Sequence, residues 1–359
     1  MSNKEKKSLK ELAWDVTEEE YRADPAFSYS TLSRFQREGF RKLDSLFDRI
    51  STPSLTFGSM VDTLITDSQQ AFSDKFMVCQ FPELSDSLKA ITQSLFELRD
   101  ENGNRYSSLD KFDDGTISAM AVANSYYTAD KYASYRVKSV REKCSYYYDL
   151  LMMSEGKHVV SQEDYNDAMA CASELKSNPV TKEYFSANPF DTDKEYLFQT
   201  KFKFEYEGIR YRVMPDLLVV NHKDKTIIPV DLKTTGHPEE EFQESFYKWR
   251  YMIQAQLYTA CLQSVIKDDP YFEDFKICDY EFAVINRKTL APLVWVYPDN
   301  FSNIETVTPE GEVIPNWREL GKTLKIYLDR KEKEGTVKYS EEMLDWGCKP
   351  VIKSCFNLK

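Results

Sequence analysis

From residue 195 onward, hydrophobic and polar positions alternate in short runs that are typical of β-strands. The pattern predicts a β-meander with strands over 195–206, 209–220 and 226–233. Polar turns are expected at 207–208 and 221–225, because Gly208 and the Asn-His-Lys-Asp-Lys run interrupt the alternation.

The pattern then changes to the helical period of 3.6 residues. It predicts one long helix over about 241–266, two strands over 278–286 and 290–297, and a closing amphipathic helix over 317–334. The segment 305–314 is expected to be irregular or a hairpin. Strands and helices in this order predict an α/β (α+β) core.

The remaining chain divides by pattern into three further parts. A charged N-terminal tail with a short helix is predicted for 1–24, a mostly helical part for 25–190, and a C-terminal extension for 336–359. The core itself is placed at 191–335. We find no internal repeat and no low-complexity segment.

A helix is expected to begin near Ser30, which is a plausible N-cap. Arg34, Arg37 and Arg41 follow at spacings that would place them on one helical face. A solvated basic face is the ordinary interpretation of such a run, and phosphate binding is the alternative.

Two other helical segments carry polar residues whose role the sequence leaves open. In the segment 57–65, Asp62 falls outside the apolar stripe and on the face of Gly58, where solvent exposure or helix capping would be ordinary. In the segment 126–148, tyrosines alternate with lysines and arginines. Such tyrosines can stack on nucleic-acid bases or simply pack as core with wet hydroxyl edges.

Composition narrows the class of protein. The 359 residues carry a net charge of −12, which argues against a generally basic nucleic-acid coat but not against a local basic groove. Seven cysteines are scattered singly and three histidines show no ligand spacing, as expected for reduced thiols in the cytoplasm. No apolar run reaches the ~20 residues that span a bilayer, so no membrane association is expected.

The strongest chemical signal lies on the meander. Asp231 and Lys233 are two positions apart and therefore project from the same strand face. The side chain of Asp216, on the neighbouring strand, is expected close to them. Buried charges are costly unless paired or bound to a metal, and Mg²⁺ prefers carboxylate oxygens and phosphate. A surface salt-bridge trio is the ordinary alternative. Gln254 and Tyr258 share one face of the following helix.

The order Pro215-Asp216 followed by Asp231-Leu232-Lys233 resembles the PD-(D/E)xK nuclease superfamily. Gln254 and Tyr258, four residues apart, resemble the additional Gln/Tyr motif of its RecB/RecE-like phage recombination exonuclease branch. The segments Ser-Tyr-Ser-Thr-Leu-Ser-Arg-Phe and Phe-Gly-Ser-Met-Val-Asp are similar to the branch's N-terminal helices. The resemblance covers about 28–66 and 195–300.

The resemblance implies a restriction-endonuclease-like core, in which a central mixed β-sheet is flanked by helices, with a large helical part added. It implies Mg²⁺, for which Mn²⁺ can substitute, held by Asp216, Asp231 and the carbonyl of Leu232. The family often has a histidine where this chain has Asp62, which can also ligate metal. Which residue completes the site is open, and the candidates are Asp62, Glu195 and Gln199. Some relatives carry an iron–sulfur cluster, but this chain lacks the cysteine grouping for it.

The implied activity is a metal-dependent DNA exonuclease that acts on linear duplex ends and leaves 5′-phosphates, in phage-type recombination or DNA processing. Lys233 would position or deprotonate the attacking water, and Gln254 and Tyr258 would hydrogen-bond the DNA strand or orient Lys233. DNA contacts are expected from Thr234 and Thr235 as well as from the three arginines. A single-strand annealing protein and a homo-oligomer are the implied partners. The alternatives are a catalytically silent nuclease-fold module that binds DNA or a partner, or a structure-dependent or sequence-specific endonuclease.

Overall fold

The computed structural model describes the chain except for 1–5, 49, 67–68, 81–82, 155, 187, 189, 302, 336 and 339–359. The predicted extension at 336–359 therefore lies outside the described residues, apart from 337 and 338. Across the described ranges, no helix is both long and apolar enough to cross a membrane.

The helices are numbered in chain order. They are α1 Glu18–Ala23, α2 Tyr29–Glu38, α3 Pro53–Thr66, α4 Gln69–Lys75, α5 Asp86–Glu97, α6 Asp114–Ala123, α7 Ala133–Met153, α8 Gln162–Ser177, α9 Lys182–Phe185, α10 Phe242–Trp249, α11 Tyr251–Ile266 and α12 Trp317–Glu334.

The strands are numbered in the same way. They are β1 Phe76–Cys79, β2 His158–Ser161, β3 Lys194–Phe198, β4 Phe202–Tyr206, β5 Ile209–Val213, β6 Leu217–Asn221, β7 Thr226–Thr235, β8 Lys276–Ile277, β9 Tyr280–Asn286, β10 Leu293–Tyr297, β11 Thr306–Val307 and β12 Val313–Ile314.

One mixed sheet organises the core. Its strands lie in the order β10–β9–β7–β6–β3, and β8 pairs with the start of β7. β9 runs parallel to β7, whereas β6, β3 and β10 join antiparallel to their neighbours. A central mixed sheet with helices on its faces confirms the fold class predicted from the sequence. The expected hairpin at 305–314 is formed by β11 and β12.

The first two strands of the predicted meander are each broken in the middle. Gln199 ends β3 with a φ of 46°, and Pro215 separates β5 from β6 because it lacks the N–H that a continuing ladder needs. The fragments β4 and β5 leave the main sheet and form a hairpin of their own. Asp216 therefore lies at a break just before β6, not within a strand as expected, and its carbonyl accepts the Gln199 N–H at 3.0 Å.

The two faces of the sheet are covered by different helices. On β7, Ile227 packs with residues of α2, α11 and α12, whereas Val230 packs with residues of α3 and α8. A glycine permits close approach on each side. Gly58 of α3 faces Thr234 of β7, where a Cβ would lie 3.2 Å from the Thr234 hydroxyl oxygen, and Gly321 of α12 lies against the ring of Tyr211.

Residues 6–24 are not a separate tail, which corrects that prediction. Leu9 has 0% of its surface exposed and belongs to the same hydrophobic cluster as the sheet. Lys7 pairs with Asp269 at 2.5 Å, and the Trp14 N–H donates to the carbonyl of Lys201 at 2.8 Å. The free energy gained by burying the apolar side chains of this segment outweighs the entropic cost of ordering it.

Candidate active site

Asp231 lies at the centre of a buried polar cluster. The residue is 1% exposed, and its side chain points from β7 toward α11, where Gln254 Nε2 donates to Asp231 Oδ1 at 2.5 Å. The ammonium of Lys233 pairs with Asp231 Oδ2. Asp231 and Lys233 thus share a strand face, as the period-two pattern predicts. Burial alone would lower the pKa of Lys233, but the negative charge of Asp231, together with Tyr251, Asp216 and Tyr29, outweighs it and holds that pKa above the ordinary value.

Asp216 joins this cluster from the break before β6. Its Oδ2 accepts the backbone N–H of Leu232 at 2.8 Å, which ties the carboxylate to β7. Burial, followed by the negative charges of Asp231 and Asp62, raises the pKa of Asp216 well above its usual range. Three carboxylates that face one ammonium leave a formal excess of two negative charges.

Asp62 comes from α3 on the opposite side of the sheet. The close approach of α3 to β7 at Gly58 brings Asp62, one helical turn later, over the break in the strands. There Gln199 Nε2 donates to Asp62 Oδ2. The left-handed backbone of Gln199 is rare for a non-glycine residue and directs this amide toward the cluster.

Glu195 is the one candidate for the fourth ligand that lies elsewhere. Its carboxylate accepts from the Ser8 hydroxyl and from the Leu9 N–H at 3.2 Å, and it lies 3.4 Å from His222 Nε2. Glu195 therefore anchors the N-terminal segment. It does not reach the site, so it is not the residue that completes the set of metal ligands. Of the three residues left open by the sequence, Asp62 and Gln199 reach the site and contact each other.

Aromatic rings wall the cluster. The Lys233 ammonium lies 4.5 Å from the ring centre of Tyr251, and Tyr251 stacks on Phe242 at 5.7 Å. Burial, then Tyr21, Asp231 and Asp216, raises the pKa of Tyr258 well above its usual range. Burial and then Asp231 do the same to the pKa of Tyr280.

Tyr251 and Tyr280 were missed at the sequence level. Tyr251 stands three residues before Gln254 and so shares its helical face, which is a signal that could have found it. Tyr280 is the first residue of a different strand, and no local spacing relates it to Asp231.

The donor chemistry of the site suits a hard divalent cation. Asp62, Asp216, Asp231 and the Leu232 carbonyl offer only oxygen atoms, and the charges of Asp231 and Asp62 add to burial in raising the pKa of Asp216. Over the described ranges, however, no group of three or more His, Cys, Asp or Glu side chains is close enough to hold a metal ion. Asp231 and Asp62 are instead engaged by Lys233, Gln254 and Gln199.

The three arginines predicted to bind DNA do not share one helical face. Helix α2 begins after the N-cap Ser28, not Ser30, and ends at Glu38, so Arg41 lies beyond it in a 3₁₀ helix. The guanidinium of Arg34 is buried and donates to three backbone carbonyls, those of Ser45, Leu46 and Asp48. The prediction that Arg34 contacts DNA is therefore wrong, because its guanidinium N–H groups already donate to backbone carbonyls. Arg37 and Arg41 are exposed.

Thr234 and Thr235 line a cleft of about 210 Å³ beyond the end of β7, where α3 and α5 face the sheet. Lys89 and Arg287 also line it, and both pair with Asp164, at 3.4 Å and 3.0 Å. The threonines thus lie on a concave surface, and their contact with DNA stays a prediction.

The tyrosine-rich segment divides by burial. Tyr147 and Tyr148 are core residues of the helical part, whereas Tyr127, Tyr132 and Tyr135 are exposed and cluster edge to face. Packing therefore explains Tyr147 and Tyr148, and the structure assigns no role to the exposed cluster.

The chain matches no protein-family model, and no curated protein sequence is significantly similar to it. Among solved structures, it is similar to the "Putative exonuclease" of Eubacterium rectale, with 13% sequence identity and a TM-score of 0.43. The alignment covers 96% of this chain and 99% of that one. At this identity and TM-score, neither the fold nor the function of this chain follows from that name.

Proposed function

We propose that this protein is a metal-dependent DNA nuclease of the PD-(D/E)xK type that hydrolyses phosphodiester bonds from duplex ends. One observation carries the proposal: Asp231, Lys233 and Gln254 form a buried contacting group beside Asp216, whose pKa is raised by burial and by neighbouring carboxylates. Charges buried together at strand ends are characteristic of functional sites. The exonuclease class and the phage-recombination context, with an annealing protein and a homo-oligomer, rest on the sequence resemblance alone.

Asp216, Asp231, the Leu232 carbonyl and Asp62 would hold Mg²⁺, or Mn²⁺ in its place. When bound, the cation supplies Lewis-acid chemistry, which lowers the pKa of a water molecule and polarises the phosphate. Lys233 would orient the attacking water molecule and offset negative charge on the phosphate as the bond breaks. Gln254 fixes Asp231 through its amide, and Tyr258 closes the site on the side of α11. Water would attack phosphorus in line with the departing 3′-oxygen, which leaves a 5′-phosphate.

The test is digestion of end-labelled linear duplex DNA with Mg²⁺, with Lys233→Ala compared with Lys223→Ala. Lys223 is an exposed lysine of the β6–β7 turn and serves as the matched control. We expect Lys233→Ala to lower the rate by more than tenfold, since it removes the only ammonium paired with Asp231 among the described residues. A smaller loss would reject the site, and equal attack on closed circular DNA would reject the exonuclease class in favour of an endonuclease.

A catalytically silent module that binds DNA or a partner is the second candidate. It is favoured by one observation: both oxygens of Asp231 are already engaged, and no three-acid metal group occurs in the described part of the chain. Calorimetric titration with Mn²⁺ separates the two candidates. The nuclease is expected to bind Mn²⁺, whereas a protein that binds none would be a silent module.

A further inference from the structure

Trp249 is presented on the surface at a rigid break between two helices. It is the last residue of α10, and the residue is 39% exposed. The Tyr29 hydroxyl donates to its carbonyl at 2.7 Å. The next residue, Arg250, has a left-handed φ of 63° and is held by Gln36 at 2.7 Å and Glu312 at 2.8 Å. The ring is therefore exposed on a fixed support.

Two cations flank this indole. The guanidinium carbon of Arg37 lies 5.0 Å from the ring centre, and the ammonium of Lys248 lies 5.1 Å from it. Arg37 also donates through Nε to the Ser33 carbonyl at 3.2 Å. Neither cation forms an ion pair within the parts of the chain that the structure describes. In a protein with a net charge of −12, two unpaired cations on one exposed ring form a local site for an anion.

The ring lies at the edge of the candidate active site. Tyr251 is two residues beyond Trp249, and its ring contacts the Lys233 ammonium at 4.5 Å. Burial raises the pKa of Tyr251, and Lys233 and Arg37 are close enough for their charges to oppose that rise. Arg37 is therefore near both the exposed indole and Tyr251, the residue that contacts the lysine of the site.

We propose that Trp249, Arg37 and Lys248 form a binding platform for an unpaired base of the substrate strand. The base would stack on the indole, and the two cations would hold the adjoining phosphates. A base can offer its face only where it is unpaired or at a strand end, so the strand enters the site single-stranded or frayed. This inference rests on the proposed nuclease function and specifies its substrate.

The experiment measures the binding of a single-stranded oligonucleotide and of an abasic strand of equal length and charge, with Ca²⁺ in place of Mg²⁺ to prevent cleavage. Trp249→Ala is expected to weaken binding of the intact strand at least fivefold, the low end of base–aromatic stacking, and to leave the abasic strand within twofold. Phe301→Ala, which removes another exposed ring of 43% exposure, should bind both strands as the wild type does. Equal effects of Trp249→Ala on both strands, or none on either, would overturn the platform.

Two further variants keep the result independent of folding. Trp249→Phe retains an aromatic face and should recover most of the affinity for the intact strand. Arg37→Gln should weaken both strands and reduce the slope of log K against log salt by about 0.7, one phosphate contact on a single strand. An unchanged slope would remove Arg37 from the platform. A wild type that binds neither strand would also overturn the platform, whereas the nuclease function is judged separately by the digestion of linear duplex DNA.

Discussion

At the scale of single residues, the carboxylates of the site differ in how far their charges are balanced. Asp231 has a hydrogen-bond donor on one oxygen and an ammonium on the other. Asp216 has one backbone N–H and two negative neighbours, Asp231 and Asp62. The stability cost of assembling the site therefore falls mainly on Asp216, as expected where function requires like charges close together.

Asp216→Asn should make the metal-free protein more stable while it abolishes nuclease activity. The folded-state pKa of Asp216 is raised, so the ionised carboxylate opposes folding, and wild-type stability falls as the pH rises from the unfolded value of about 3.9 through the folded pKa. At pH 8 the variant should melt about 2 °C or more above the wild type in EDTA.

The same melting experiment with Mg²⁺ tests the metal. Mg²⁺ should raise the melting temperature of the wild type and have little effect on Asp216→Asn, because a cation stabilises only a state that binds it. Asp130→Asn removes an exposed carboxylate and should match the wild type in both conditions. A variant less stable than the wild type in EDTA would show that Asp216 is not under electrostatic strain.

At the scale of elements, the site is assembled where regular structure stops. The breaks at Gln199 and Pro215 release Asp216 from the strand ladder and bring the Gln199 amide to Asp62. The break at Arg250 divides the helix predicted over 241–266 and exposes Trp249. Helix α3 contributes Asp62 only because Gly58 lets it approach β7.

Gly58→Leu should therefore lower activity by at least tenfold without unfolding the core. The added side chain has to move α3 away from Thr234, and a shift of about 1 Å in a positioned ligand costs about a hundredfold in rate. Ser59→Leu adds the same side chain at the next, exposed position and should retain activity. Rates on linear duplex, with circular dichroism to confirm folding, check this, and equal activity of the two variants would refute the role of Gly58.

At the scale of the whole molecule, ion pairs around Asp164 connect three parts. Asp164 lies in the first turn of α8 and pairs with Lys89 of α5 at 3.4 Å and with Arg287, just after β9, at 3.0 Å. Burial would raise the pKa of Asp164, but Lys89, the Ser161 hydroxyl and Arg287 together lower it. The helical part and the sheet are thus joined beside the cleft that Thr234 and Thr235 line.

Asp164→Asn should destabilise the protein by about 1.5–3 kcal/mol at pH 7, the range for hydrogen bonds to a charged group. Because the folded pKa of Asp164 is lowered, its contribution is complete above the unfolded value of about 3.9 and is lost as the pH falls through the folded pKa. Denaturant unfolding should therefore show a difference at pH 7 that shrinks toward pH 3. Glu163→Gln, at the exposed neighbouring position, should change stability less, and a difference independent of pH would exclude the ion pairs as its cause.

Local sequence by itself determined the mixed α/β class, the hairpin into β7, the shared face of Asp231 and Lys233, and the bounds of α12. These follow from side-chain periods of two and 3.6 residues, which depend only on near neighbours along the chain.

Tertiary structure decided which side chains contact one another. It brought Asp62 and Gln199 together across the chain, turned Glu195 toward Leu9 and saturated Arg34 with backbone carbonyls. No local period encodes such contacts, because they result from how helices and strands distant in sequence pack on one sheet.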